Sequence, residues 1–246
     1  MVRIELSKLD NVKILAKDRK VAKHIPKTYS LTNKSLTSML KQNSFVYLKP
    51  NDSGQGKGLM RIDVEKGLYR LRCRDYQVNH KHEKISTLME DIQKLKRKRL
   101  YLVQQGIQSE TKKGRLFDLR VHMLRIKGEW KVVGIVGRLA PSKSIVTNAK
   151  SGGKPTKVDV LFQKELGWNE KQSKSMLKKL ESLSIKIAQQ FSAKYPKWRQ
   201  FGLDYGIDDH NHPWLYEINV TPGLNVFRLA DQSLYRKIIH LRHRSS

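Results

Sequence analysis

Three oxygen-bearing side chains near the C-terminal end, Asp204, Glu217 and Asn219, are spaced so as to do chemistry together. Residues 217 and 219 lie two apart, so on a β-strand both side chains leave the same face. If 204–207 pairs back across the polar stretch Asp208 to His212, Asp204 joins that face. Two carboxylates and an amide oxygen form a hard, oxygen-only donor set. Such a set suits Mg2+, which keeps waters and takes further ligands from substrate phosphates. The alternative is a pair of edge strands with their acids on the wet side. In a chain with 22 Asp+Glu against 50 Lys+Arg, three converging oxygen ligands favour the metal.

A second set surrounds Gly54, Gly56 and Gly58, which fall at alternate positions after Lys49. Glycines there let the backbone approach a ligand with its N–H groups inward, as phosphate-cradling loops do. The Lys49 ammonium, at the end of the preceding strand, could reach phosphate oxygens. The spacing fits neither a P-loop nor a dinucleotide fingerprint, and a strand rather than a helix follows. A flexible hairpin turn accounts for the glycines equally well. A third set comprises Asp118, Arg120, Arg138, Asn148, Gly152 and Gly153. It reads as a guanidinium clamp for a transferring phosphoryl or carboxylate group, or as a surface Asp–Arg pair of little energetic weight.

The elements that must position these residues follow from hydrophobic periodicity. Strands are expected at 45–49, 59–64, 68–72 and 101–107, with a turn at Lys66 and Gly67. Ile85, Leu88, Met89, Ile92 and Leu95 predict a helix over 84–98. A hairpin is expected over 116–139, turning at Lys127 and Gly128, then a loop of small residues over 142–157. A long helix over 169–195 carries the apolar stripe Met176, Leu180, Leu183, Ile187 and Phe191. Closing strands at 201–207 and 214–220 precede a short helix over 234–241. This mixture predicts an α+β protein in two unequal lobes. His80 with His82, and His210 with His212, lack an evident third ligand and read as solvated turns. Asp208 and Asp209 read as turn-shaping, and Trp130, Trp168, Trp198 and Trp214 as packing residues.

Composition narrows the classes. The chain has 246 residues, 38% of them hydrophobic, enough for a core and against global disorder. No apolar run approaches the roughly 18–20 residues of a membrane helix, and the start has no apolar signal-like region. Cys73 is the single cysteine, which excludes an internal disulfide framework and a cysteine-only zinc site. A cytoplasmic protein is expected. The net charge is +28, but it divides evenly, 24 basic and 10 acidic residues over 1–100 and 26 and 12 over 101–246. A dedicated nucleic-acid arm would concentrate it. Nucleic acid is therefore not the favoured partner, and a polyanionic substrate or an acidic partner surface accounts for the charge as well.

Taken together, these residues resemble the ATP-grasp superfamily of carboxylate–amine ligases over about 45–225. The middle set is similar to the type that ligates glutamate to ribosomal protein. The likeness narrows to the spore-coat-associated YheC/YheD family through His24 to Thr28, Val46 to Pro50, Ile145 to Asn148 and Gly202 to Asp208. The resemblance implies an ATP-grasp fold, two α+β lobes enclosing a nucleotide, with the N-terminal pre-ATP-grasp domain absent or truncated. The implied division is a helical lead-in over 1–40, a small lobe with the glycine-rich loop over 41–107, and a large lobe with the metal site over 108–246.

It further implies ATP and Mg2+ as cofactors and an acyl-phosphate on the way to an amide. Asp204, Glu217 and Asn219 would be the metal set, and Lys49 with Gly54, Gly56 and Gly58 the phosphate contacts. Gln104, Gln105 and Ile107 would lie on the adenine-contacting strand, and Arg120, Arg138 and Asn148 would be catalytic. Some such ligases place an arginine two residues before the first metal aspartate. Here that position is Gly202, so Arg120 or Arg138 must supply the charge. The implied setting is the spore coat or envelope. A non-catalytic basic coat protein that retains the scaffold is the alternative.

Overall fold

Helices α1 (Lys8–Leu15) and α2 (Arg19–Ala22) come first. Asp18 starts α2 by accepting from the backbone N–H groups of Lys20 and Val21, which a helix start leaves without partners. The structure, a computed structural model, describes residues 7–52, 57–73, 75–96, 98–141, 144–145 and 153–243. It divides into two compact units. One comprises Pro26–Gly106 with the stretch ending at Val12; the other comprises Ile107–Ser246 with Lys13–Ile25.

In the first unit the order is β1 (Thr28–Ser30), α3 (Asn33–Gln42), β2 (Phe45–Pro50), β3 (Met60–Glu65), β4 (Leu68–Cys73), β5 (Val78–His82), α4 (Ile85–Lys96) and β6 (Tyr101–Gln105). The sheet runs β1-β6-β2-β3-β4-β5, every pair antiparallel. Lys66 and Gly67 both take positive φ, the two-residue turn whose twist matches a hairpin. Leu36, Met39 and Leu40 of α3, with Leu88, Met89 and Ile92 of α4, pack on Val46, Leu48, Met60, Ile62, Leu71 and Val103. Both helices thus cover one sheet face. The other face carries Tyr47, Lys49, Arg61 and Gln104, by strand alternation and register.

The second unit continues with β7 (Phe117–Ile126), β8 (Glu129–Leu139), β9 (Lys154–Lys157), α5 (Val158–Val160) leading into a π-helical stretch (Leu161–Glu165), α6 (Glu170–Lys194), β10 (Gln200–Ile207), β11 (Pro213–Asn219), α7 (Asn225–Ala230) and α8 (Gln232–Arg242). Its antiparallel sheet has the order β11-β10-β7-β8-β9. The α6 stripe is buried as its spacing predicts. It meets the odd-numbered face of β10: the Ser184 and Tyr205 hydroxyls are 2.9 Å apart, and Phe191 lies edge-on to Phe201. On the even-numbered face, Phe227 of α7 and Ile238 of α8 cover Leu124 and Val136. Gly134 permits that approach, since a Cβ there would lie 2.8 Å from Ile238 Cδ1.

Several elements escaped the periodicity. Residues 78–82 form a strand rather than a solvated turn; as the last strand of its sheet β5 has no long apolar run to signal it. β9 lies inside the expected loop and contains Pro155, which an edge strand tolerates. β1 and α3 add a strand and a packed helix to the polar lead-in.

Two histidines sit where charge is disfavoured. His122, on the even face, is fully buried and edge-on to Phe227, and neither ring nitrogen has a hydrogen-bond partner among the described residues. Burial pushes its imidazole down to about 3, with Arg120 and Arg242 adding to the effect. Burial likewise lowers His24, which faces the Pro213 carbonyl, to about 4. Both are neutral when folded, while the unfolded chain takes up protons below an ordinary histidine pKa of about 6.5. Stability is therefore full above that pH and falls toward pH 4, by at most about 1.4 kcal/mol per pH unit for each histidine. Denaturant unfolding from pH 7 to 4.5 checks this: His122→Leu is expected to flatten the slope, and an unchanged slope would contradict the assignment.

Candidate functional site

At the end of the second unit's sheet not covered by α7 and α8, strand register gathers polar side chains on the even face. Asp118 on β7 lies opposite Arg138 on β8, and Arg120 on β7 lies opposite Asp204 on β10. Asp204 is in turn opposite Glu217 on β11, and Gly202 is opposite Asn219. Residues directly opposed in antiparallel strands share a face. Four strands therefore bring together Asp118, Arg120, Arg138, Asp204, Glu217 and Asn219.

Their charges interlock. Arg138 donates from Nε to Asp118 Oδ1 at 2.5 Å and from Nη2 to Asp118 Oδ2 at 2.7 Å. The same Nη2 lies 3.1 Å from Asp204 Oδ1. Arg120 holds Asp204 in a two-point pair, Nε to Oδ1 at 2.5 Å and Nη2 to Oδ2 at 3.0 Å. All four residues are only 5–8% exposed, so a surface pair does not describe them. Burial opposes ionisation of Asp204, but Arg120 and Arg138 outweigh it and hold the carboxyl below its usual range. Burial works against the Arg138 charge too, and Asp118 and Asp204 overcome it, leaving the guanidinium firmly protonated.

Asp204 can still serve a metal. A carboxylate has about four lone-pair positions, and the guanidiniums take two at Oδ1 and one at Oδ2. Among the described residues these contacts leave one Oδ2 position, on a residue that shares its sheet face with Glu217 and Asn219. The donor set thus fits a hard divalent cation.

Two glycines shape this face. A Cβ on Gly202 would lie 3.0 Å from Arg120 Nη1 and 2.7 Å from Pro222 Cβ, so Arg120 runs through the space a side chain at 202 would need. Gly206 leaves room for Tyr216, whose hydroxyl lies where its Cβ would stand. Tyr216 is the extra residue of a bulge in β11, because Asp204 pairs with Glu217 but Tyr205 with Leu215. Tyr216 carries no spacing signal of its own. Glycines two before and two after Asp204 were the available signal of crowding on that face.

In the first unit, Lys49 Nζ donates to Gln104 Oε1 at 2.5 Å, and Gln104 Nε2 donates to Thr28 Oγ1 at 3.0 Å. Gln105 points to the helix-covered face, opposite Val46, and its Oε1 accepts from the Lys27 N–H. Ile107 lies beyond the strand end, buried, in the second unit. Arg61 and Arg72 share the Lys49 face and flank Asp63, at 2.7 Å each; their alternation along the 60–73 hairpin was the unread signal. Gly58 has φ +71, donates its N–H to Asp75 and accepts from the Tyr101 hydroxyl. A Cβ there would meet that hydroxyl at 2.6 Å, so glycine is structurally required. Gly153 is buried immediately before β9. Gly54, Gly56, Asn148 and Gly152 lie outside the described residues.

Among the remaining expectations, Asp208 does shape its turn. Its Oδ1 accepts from the backbone N–H groups of His210 and His212, and its Oδ2 from Trp214 Nε1. Trp130 stacks on Phe201 and donates to Ser192. No helix among the described residues is long and apolar enough to cross a membrane.

Comparison with known proteins adds four likenesses. The family profile described as YheC/D-like ATP-grasp matches residues 4–243. Endospore coat-associated protein YheD of Bacillus subtilis (strain 168) is 23% identical over 220 residues, covering 87% of this chain and 48% of that protein. The chain thus spans about half the length of that relative. Among solved structures, the D-cycloserine synthetase DcsG is similar with a TM-score of 0.58 at 12% identity, over 98% of this chain and 71% of that one. N5-carboxyaminoimidazole synthase from Aspergillus clavatus, solved with ADP and an aminoimidazole ribonucleotide, is similar with a TM-score of 0.52 at 12% identity, over 88% and 44%. At such identities the likeness is one of fold.

The ion ladder predicts its own energetics. Arg138→Met would leave Asp118 buried without its guanidinium and lower unfolding free energy by about 3–5 kcal/mol. Adding Asp118→Asn removes the stranded charge and is expected to restore a substantial part. Chemical denaturation of the two single variants and the double variant checks this, and additive losses would refute the pairing.

Proposed function

Since this chain belongs to the YheC/D-like ATP-grasp family, with the fold of carboxylate–amine ligases, we propose that it binds Mg·ATP and joins a carboxylate to an amine through an acyl-phosphate. The observation that carries this reading is the single sheet face on which Asp204, Glu217 and Asn219 adjoin the buried Arg120 and Arg138. Asp204 Oδ2, Glu217 and Asn219 would hold Mg2+. The ion would supply charge neutralisation across the phosphates.

The protein's own groups do the rest. Lys49 leaves Gln104 to meet phosphate oxygens, joined by the backbone around Gly54, Gly56 and Gly58. The Gln104 side chain, with the backbone of Gln105 and Ile107, is assigned to the adenine side, since the Gln105 side chain turns to the helix-covered face. Arg120 and Arg138, with Asn148, steady the γ-phosphoryl group and the substrate carboxylate. A carboxylate oxygen takes the phosphoryl group and ADP departs. The amine then attacks the acyl carbon, phosphate leaves, and the amine loses a proton to give the amide. Positioning and electrostatics suffice for phosphoryl transfer, so no nucleophilic side chain is needed. The proposed setting is the spore coat, a reading supported by the name of the YheD relative, and a net charge of +28 suits acidic surfaces there.

One observation favours a second reading, a coat scaffold that holds ATP without turning it over. Both Asp204 oxygens are already engaged by guanidiniums, as a purely structural ladder would have them. Calorimetry with Mg·ATP on the wild type and Glu217→Ala, alongside ADP release, separates the two. The ligase reading expects magnesium-dependent binding and turnover, with binding at least about tenfold weaker in Glu217→Ala, turnover abolished and the fold intact. Binding without turnover, under a range of carboxylates and amines, would support the scaffold. No binding by the wild type would overturn both.

A further inference from the structure

Among the described residues β5 is the last strand of its sheet, paired only with β4. His80 and His82 leave one face of it, opposite Leu71 and Tyr69 of β4, and α4 presents Asp91 to that face. Asp91 Oδ2 lies 2.7 Å from His80 Nδ1 and 3.1 Å from His82 Nε2. Two imidazoles and a carboxylate thus converge, with one ligand atom from each within 4.8 Å of the others. The histidines alone, two residues apart, offered no third ligand to the eye. The fold supplies it from a helix nine residues beyond His82.

We propose that His80, His82 and Asp91 form a binding site for a divalent transition metal of the zinc class, with water completing the coordination. Imidazole nitrogen is a borderline-soft donor that selects Zn2+, Cu2+ or Ni2+ over Mg2+, so this set differs in kind from the oxygen-only set around Asp204. Tetrahedral bonds of about 2.0–2.1 Å place neighbouring ligand atoms roughly 3.3 Å apart. The carboxylate has to draw back from His80 by about 0.6 Å, and the two ring nitrogens to settle at the same spacing, to admit the ion.

Access and charge agree with this. The His80 side chain is 55% exposed while His82 and Asp91 are 13% and 18% exposed, so two ligands are held and one side stays open for entry and water. The nearest strand cations, Lys81 and Arg70, oppose each other on the other face of the sheet, because side chains alternate. The Asp91 carboxylate brings negative charge to receive the ion. The bound metal would fasten the edge strand β5 to α4, which covers the sheet.

Titration of the metal-free protein with Zn2+ by calorimetry, and with Co2+ by visible absorption, tests the site in millimolar magnesium. One equivalent of Zn2+ is expected, with intense four-coordinate Co2+ bands. His80→Ala and Asp91→Asn should each weaken binding at least tenfold, and zinc should raise the thermal midpoint of the wild type but not of Asp91→Asn. His210→Ala, at the other histidine beside carboxylates, should bind like the wild type. His80 is exposed enough that its loss leaves the fold intact, which circular dichroism verifies. No stoichiometric binding by the wild type, undiminished binding in His80→Ala, or loss in His210→Ala would overturn the proposal.

Discussion

A buried chain of alternating charge, Asp118–Arg138–Asp204–Arg120, governs the larger unit. It crosses β8, β7 and β10, and each link requires correct strand register. A shift of one residue in any pairing would turn a charged group toward α6 and its apolar stripe. The ladder therefore fixes the sheet's alignment while placing two guanidiniums beside the oxygen donors of β11. Its cost is desolvation of four charges, tolerable only because each carboxylate is met by guanidinium hydrogen bonds. Removing one member exposes that cost, whereas the intact set adds rigidity where ligand groups must be held.

The same division recurs in both units. Helices take one face of the first sheet and the polar residues Lys49, Arg61, Arg72 and Gln104 the other, while in the second unit α6 takes the odd face and the ladder with Glu217 and Asn219 takes the end of the even face that α7 and α8 leave. Period-two alternation makes this possible, because a strand can bury Leu48 under α3 and α4 while aiming Lys49 away from them. Chemistry-bearing residues thus need no loops to be exposed; they need an uncovered face.

Much of this was legible from spacing. The α6 stripe, both two-residue turns, and the meeting of residues 217 and 219 with Asp204 follow from local periodicity, and the structure has each of them. What escaped depends on information no local window holds. β5 and β9 are edge strands that bury little and so carry no long apolar signature. That Gln104 but not Gln105 meets Lys49 is a matter of register with β2. The burial of the Asp–Arg pairs, which turns a negligible surface contact into a costly interior one, joins residues of three strands far apart in the chain. Asp91's approach to two histidines is likewise tertiary.

Gly202 also decides the direction from which charge arrives. Because the Arg120 guanidinium runs through the volume a side chain at 202 would claim, a long cation at 202 and Arg120 in its present position compete for the same space beside Asp204. Arg138 keeps its own contact with that carboxylate from a third strand. The positive charge around Asp204 is thus imported across the sheet, and the empty Cβ position on β10 is the doorway through which it comes.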